Sequence, residues 1–190
     1  MYLKYERLAN YTPAQTFLTY ELINDHVWLA GGAIRSAIMD EPIADYDLFF
    51  YSIIDSFNTI IRLEELGAEL IFKCPEGKLT SFKLHGMKIQ CITEDFYASM
   101  VDLINTFDIT ACRYVTDGKI ILTYYSSVRD TLSKKINLHR VMYPVATLKR
   151  IAKYAFKGYK LTNKASKFFV EGVYEKGLRQ DPLNTRVYID

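Results

Sequence analysis

Cysteine is scarce here. Cys74, Cys91 and Cys112 are odd in number and lie far apart, with no Cys-x-x-Cys pair among them. Neither a disulfide framework nor a Cys-x-x-Cys metal pair follows from that spacing. Histidine is equally sparse: His26, His85 and His139 show no metal-ligand spacing. Neither the cysteines nor Ser126-Ser127 have a base close by in sequence, so a covalent nucleophile finds no support. No internal repeat or low-complexity tract interrupts the chain. There is no apolar run near eighteen residues and no charged-then-apolar leader, so the expectation is a soluble, cytoplasmic protein with no membrane partner.

What is present is globular in character, with 49% hydrophobic and 24% charged residues. A length of 190 residues suits one domain with a modest appendage. The net charge of +2 hides an uneven distribution. Residues 131–190 hold 13 Lys plus Arg against 4 Asp plus Glu; of the chain's 24 basic and 22 acidic residues, 11 and 18 remain for residues 1–130. An acidic front and a basic tail point either to a polyanionic partner or to a solvated helix face that balances the acidic half.

The patterning predicts a helix from Thr12-Pro13 to about Asn24, a buried strand Val27 to Ala30, a Gly31-Gly32 turn and a short helix Ala33 to Met39. A strand Asp45 to Tyr51 follows. Ser52 or Asp55 then caps a helix that runs to Leu66 and closes at Gly67. Three strands, Ala68 to Lys73, Leu79 to Leu84 and Met87 to Thr93, read as a meander. A helix Phe96 to Asn105 leads into a strand Phe107 to Thr116, and Asp117-Gly118 turns it into Lys119 to Thr123. Beyond this the β signals stop. Helices are expected at Ser126 to Lys134, Ala146 to Lys157 and Asn163 to Tyr174, with Pro144 between the first two. The expectation is an α+β fold: a small mixed β-sheet domain flanked by helices over residues 1–130, then a short basic helical tail over 131–190.

The chemistry concentrates in Val27 to Phe50, VWLAGGAIRSAIMDEPIADYDLFF. Asp45 and Asp47, at i and i+2 on a strand, project to one face. Paired there, they suit a hard divalent cation, magnesium or manganese. Consecutive glycines between strand and helix let backbone N–H groups approach phosphate oxygens. Arg35 can add a charged fork to the same phosphates. Each part alone is commonly structural; their order is what makes them informative.

AGGAIRSAIMDEPIADYDLFF resembles the signature of the polymerase-beta-type nucleotidyltransferases, nearest to the head domain of class II tRNA CCA-adding enzymes and bacterial poly(A) polymerases. The resemblance implies that Gly31, Gly32 and Arg35 hold a nucleoside triphosphate and that Asp45 and Asp47 bind Mg2+ or Mn2+. Ser36 replaces the family's aspartate after the arginine. FDITACRYVTDG resembles the family's nucleotide-contacting strand: Asp108 and Thr110 match, while Thr106, Phe107 and Cys112 depart from two arginines and an asparagine. TLKRIAKYAFKGY resembles the arginine-rich helix after the catalytic domain. There Lys149, Arg150, Lys153, Lys157 and Lys160 are available for phosphate, and Tyr154, Phe156 and Tyr159 either stack on bases or dock the helix. The short chain resembles nucleotidyltransferase-like proteins of bacteriophages.

The resemblance also implies a third carboxylate on a neighbouring strand. KIQCIT is the matching segment, and Gln90 stands at that place. Asp108 is the substitute if its strand lies adjacent, with Glu94 and Asp95 in reserve. The Glu-Asp-x-x-Arg element that reads the incoming base is replaced by YPVAT around Tyr143 to Thr147. The expected activity is metal-dependent transfer of a nucleoside monophosphate from an NTP to an acceptor hydroxyl, foremost an RNA (tRNA-like) 3' end, with Asp45, Asp47 and Asp108 as catalytic residues. Two alternatives stay open. One is transfer to a protein or small molecule; the other is an inactive fold that binds RNA or protein.

Overall fold

The structure, a computed structural model, describes residues 2–5, 18 and 21–177. Apart from Leu18 and residues 21–24, the helix expected from Thr12 lies outside the described residues. One mixed sheet organises the chain. Its strands are β1 (Tyr2–Tyr5), β2 (Val27–Ala30), β3 (Tyr46–Phe50), β4 (Glu69–Lys73), β5 (Leu79–Leu84), β6 (Met87–Ile92), β7 (Tyr114–Thr116) and β8 (Ile121–Tyr124). They run in the order β1-β8-β7-β2-β3-β6-β5-β4. Every neighbouring pair is antiparallel except β3 and β6, which are parallel.

Period-two alternation sorts the central strands between two apolar layers. Leu29, Leu48, Phe50 and Ile89 pack on one face with α1 (Gly32–Ile38) and α2 (Ile53–Glu65), through Ile34 and Leu63. Trp28, Ala30, Phe49 and Val115 pack on the other with α3 (Met100–Ile104), through Leu103 and Ile104. Asp47 shares the parity of Phe49 and therefore lies on this second face.

Local capping sets the helix starts. Ser52 caps α2, its hydroxyl accepting from the Asp55 N–H at 3.3 Å and donating to the Asp55 carboxylate at 2.5 Å. Ser99 caps α3 in the same way through Asp102. That cap explains why the helix expected from Phe96 begins only at Met100. The expected strand Phe107 to Thr116 is also shorter: a 3-10 turn, Thr110–Cys112, precedes β7. Thr110 ties down that turn, its hydroxyl donating to buried Asp130 at 2.6 Å.

After α4 (Tyr125–Leu132), two short strands that the sequence did not announce, β9 (Lys135–Ile136) and β10 (Lys160–Leu161), pair in parallel. They bracket α5 (Pro144–Phe156), which opens with Pro144 at a first-turn position where a missing N–H costs nothing. α6 (Asn163–Lys176) follows, capped by Thr162. Tyr154 and Tyr159 are buried and join Ile109, Ala111 and Ile151 in a third cluster, the docking role open to them in the sequence; Phe156 instead stands 93% exposed. Among the described residues no helix is long and apolar enough to cross a membrane.

α6 approaches the segment before α5 so closely that a Cβ on Gly172 would lie 2.6 Å from Val141 Cβ. Gly172→Ala is expected to destabilise the fold by about 1–3 kcal/mol through overpacking. Val141→Gly in the same chain, which removes that Cβ, is expected to make the added cost of Gly172→Ala smaller. Urea unfolding of the two single variants and the double variant measures the coupling.

Candidate functional site

The site forms where β2 ends and β3 begins. Gly31 follows β2 with φ of +82°, a left-handed conformation that a side chain resists. A Cβ there would also meet the Phe107 ring at 3.1 Å. The Gly31 N–H donates to the Tyr114 carbonyl at 2.9 Å, so that group is held by the sheet and not turned to a ligand. Gly32, the first residue of α1, lines a cleft with a cavity volume of about 150 Å³.

Asp45 and Asp47 line the same cleft. The strand expected from Asp45 begins one residue later: Asp45 immediately precedes β3 and Asp47 is its second residue. Asp47 lies opposite Ala30 on β2 and abreast of Gln90 on β6. Its Oδ1 is buried without a hydrogen-bond partner. Loss of solvent, followed by the nearby Asp45 charge, pushes the Asp47 carboxyl up to about 8; Lys153, Lys88 and Arg150 pull the other way. Asp45 and Asp47 are thus the acidic pair of the cleft that could hold a cation, and one of their oxygens has no hydrogen-bond partner.

Gln90 stands where the sequence put it, in register with Asp47 on the adjoining parallel strand. It is buried, and its Nε2 donates to the Ser81 hydroxyl at 3.4 Å. Asp108 is in the cleft but not on a strand beside Asp47. It lies between α3 and the 3-10 turn, because the expected long strand does not form. Its Oδ2 accepts from Arg150 Nη1 at 2.9 Å and its Oδ1 from the Ile109 N–H at 2.8 Å. The expected adjacency that would make Asp108 a third metal ligand is therefore absent; the carboxylate is the partner of an arginine. Among the described residues no three His, Cys, Asp or Glu side chains gather as a metal-binding set.

Arg35 also departs from expectation. It is fully buried and is not among the residues lining the cleft. Nη1 donates to Glu41 at 2.8 Å and to the Tyr159 hydroxyl at 3.3 Å; Nη2 donates to the Ser36 hydroxyl at 2.6 Å. The guanidinium carbon lies 5.0 Å from the Tyr154 ring centroid and 5.5 Å from that of Tyr159. Ser36, which replaces the family's aspartate, thus serves as an Arg35 partner.

The cations that do line the cleft are Arg150 and Lys153 of α5, beside Tyr154. Tyr154 accepts from the Cys112 thiol at 2.8 Å, and burial raises that thiol to about 11. The signal for this group is visible in the sequence: Arg150, Lys153, Tyr154 and Lys157 sit at i, i+3, i+4 and i+7 on one helical face. A second cleft of about 230 Å³, rimmed by Arg140 and Tyr143, shares the Asp108–Arg150 pair with the first.

Over residues 4–134 the chain matches the family described as Gabija anti-defense 2 family protein. A curated relative, Gabija anti-defense 2 of Bacillus phage SPbetaL7, is 27% identical over 169 residues, covering 85% of this chain. The chain spans 41% of that relative's length. Among solved structures, a Thermotoga maritima CCA-adding enzyme complexed with tRNA superposes with a TM-score of 0.68 at 15% identity, over 88% of this chain and 44% of the enzyme. A CCA-adding enzyme with CTP gives 0.69 at 15%, over 87% and 44%. A tRNA nucleotidyltransferase complexed with a primer tRNA and an incoming ATP analog gives 0.60 at 18%, over 79% and 47%. The fold is that of the tRNA nucleotidyltransferase head.

Proposed function

The chain belongs to the Gabija anti-defense 2 family, and from that premise we propose that it is a metal-dependent nucleotidyltransferase, moving a nucleoside monophosphate from an NTP to an acceptor hydroxyl. The observation that carries the reading is the pair Asp45 and Asp47 in the cleft beside Gly32, with Asp47 Oδ1 buried and unpartnered. A group so placed is costly in a scaffold and useful in a cation site. The two carboxylates fit one Mg2+ or Mn2+, which commonly takes one or two carboxylates together with substrate phosphates. Such an ion, when bound, neutralises phosphate charge and lowers the barrier to displacement.

The protein's own groups then have defined roles. Gly31 sets the turn that brings Gly32 to the cleft, and Arg35 ties α1 to Tyr154 and Tyr159. Arg150 and Lys153 hold phosphate oxygens, and Asp108 aims Arg150. The acceptor oxygen attacks the α-phosphorus, the bond from that phosphorus to the oxygen bridging the β-phosphate breaks, pyrophosphate leaves with that oxygen, and the hydroxyl proton passes to water. In this reading residues 1–130 form the catalytic unit. Residues 131–190 form the basic tail, which lends α5 to the cleft and favours an RNA, tRNA-like 3' end as acceptor. The name of the phage relative extends the proposal: the transfer serves to counter a bacterial defence.

Pyrophosphate release from each of the four NTPs, with RNA or with RNA-free extract, tests the reading and separates an RNA acceptor from a protein or small molecule. Release that RNA stimulates, with RNA affinity falling steeply as salt rises, is expected. Gln90 favours one rival reading, a module that keeps the fold and binds RNA or protein without turnover. Absence of release with any NTP and acceptor would support it.

A further inference from the structure

A two-cation clamp needs carboxylates placed to hold both ions. The cleft supplies Asp45, just before β3, and Asp47, on it. The sheet positions flanking Asp47 are both uncharged: Ala30 on one side and Gln90 on the other. Gln90 is 2% exposed and its amide nitrogen is directed to Ser81, so the place abreast of Asp47 is neutral and occupied. The remaining acids of the cleft are engaged elsewhere. Both Asp108 oxygens accept hydrogen bonds, one of them from Arg150, and Glu94 pairs with Lys78 at 3.7 Å. Two further positive charges, Arg150 and Lys153, already face the cleft.

We infer that this site takes up one divalent cation with its triphosphate, where a third carboxylate would allow two, and that Arg150 and Lys153 supply the fixed positive charge that completes it. The inference rests on the nucleotidyltransferase reading and specifies its cofactor content. One divalent ion matches the two carboxylates in charge. A second would have to be held by phosphate oxygens and a neutral amide beside an ammonium group, a poor environment for a hard cation.

The test is a count of protein-bound manganese by electron paramagnetic resonance. The full chain is mixed with Mn2+ and each of the four α,β-methylene nucleoside triphosphates, which bind without transfer. One manganese per chain is expected for the unaltered protein and none for Asp45→Ala/Asp47→Ala. Gln90→Glu, which restores a carboxylate at the flanking position, is expected to bind two. Two ions in the unaltered protein would overturn the inference and leave the enzyme reading intact. One ion that persists in the double variant would overturn it by placing the cation elsewhere. No bound manganese with any triphosphate would remove the metal-dependent reading beneath it. If Gln90→Glu does not fold, the first two counts still decide.

Discussion

Asp47→Asn is expected to reduce nucleotidyl transfer about 10³-fold, the loss of several kcal/mol of charge stabilisation at the reacting phosphate. The same variant is expected to make the metal-free protein more stable. Burial and the neighbouring Asp45 raise the Asp47 carboxyl from its ordinary 3.8 to about 8. Between those values the folded protein holds a proton that the unfolded chain has released, so folding weakens as pH rises through the window. Asparagine is neutral throughout. The two proteins should be nearly equal in stability below pH 4, diverge as pH rises, and differ by a few kcal/mol above pH 8, at about 1.4 kcal/mol per unit of pH. Urea unfolding in chelator at pH 4 and pH 8.5 measures this. Equal stability at both would mean that Asp47 is well solvated and that the cleft is not prepared for a cation.

Arg35→Ala is expected to cost about 3–5 kcal/mol, the range for emptying a buried site and removing one member of a buried ion pair. For a chain of this length that lowers the melting temperature by about 10 °C. The change empties the space beside the Tyr154 and Tyr159 rings, which touch each other edge to face, and strands Ser36. Glu41 keeps a partner, Lys134 at 3.3 Å, so the Coulombic part of the loss is cushioned. Arg35→Lys is expected to recover part of it, because a lysine keeps the charge without the planar fork. Thermal melts decide. An unchanged melting temperature with a raised KM for the NTP would return Arg35 to the role of phosphate ligand.

Much of the fold was legible because its signals are local. The span of β5 and the turn glycines of the β5–β6 and β7–β8 hairpins, Gly86 and Gly118, fall where the pattern puts them. Gln90 beside Asp47 was legible from its segment and appears in the strand register. What failed depended on contacts distant in sequence. FDITACRYVT is apolar and β-rich and so reads as a strand carrying Asp108; the hydroxyl of Thr110 reaching Asp130 turns that stretch into a 3-10 corner instead. Standing three residues after Gly-Gly, Arg35 reads as a phosphate ligand. Its burial is set by Tyr159, 124 residues away, and no local pattern reports that. The pair β9 and β10 is two residues long in each strand, too short for period-two alternation to appear.

The central claim is that this cleft transfers nucleotides, and the most direct test is label transfer. The protein is mixed with each α-phosphate-labelled NTP, Mg2+ or Mn2+, total RNA and cell extract, with Asp45→Ala/Asp47→Ala alongside. Label on an RNA or a protein band, absent with the double variant, is the predicted result. No label with any triphosphate and either metal, or label that survives the double substitution, would contradict it.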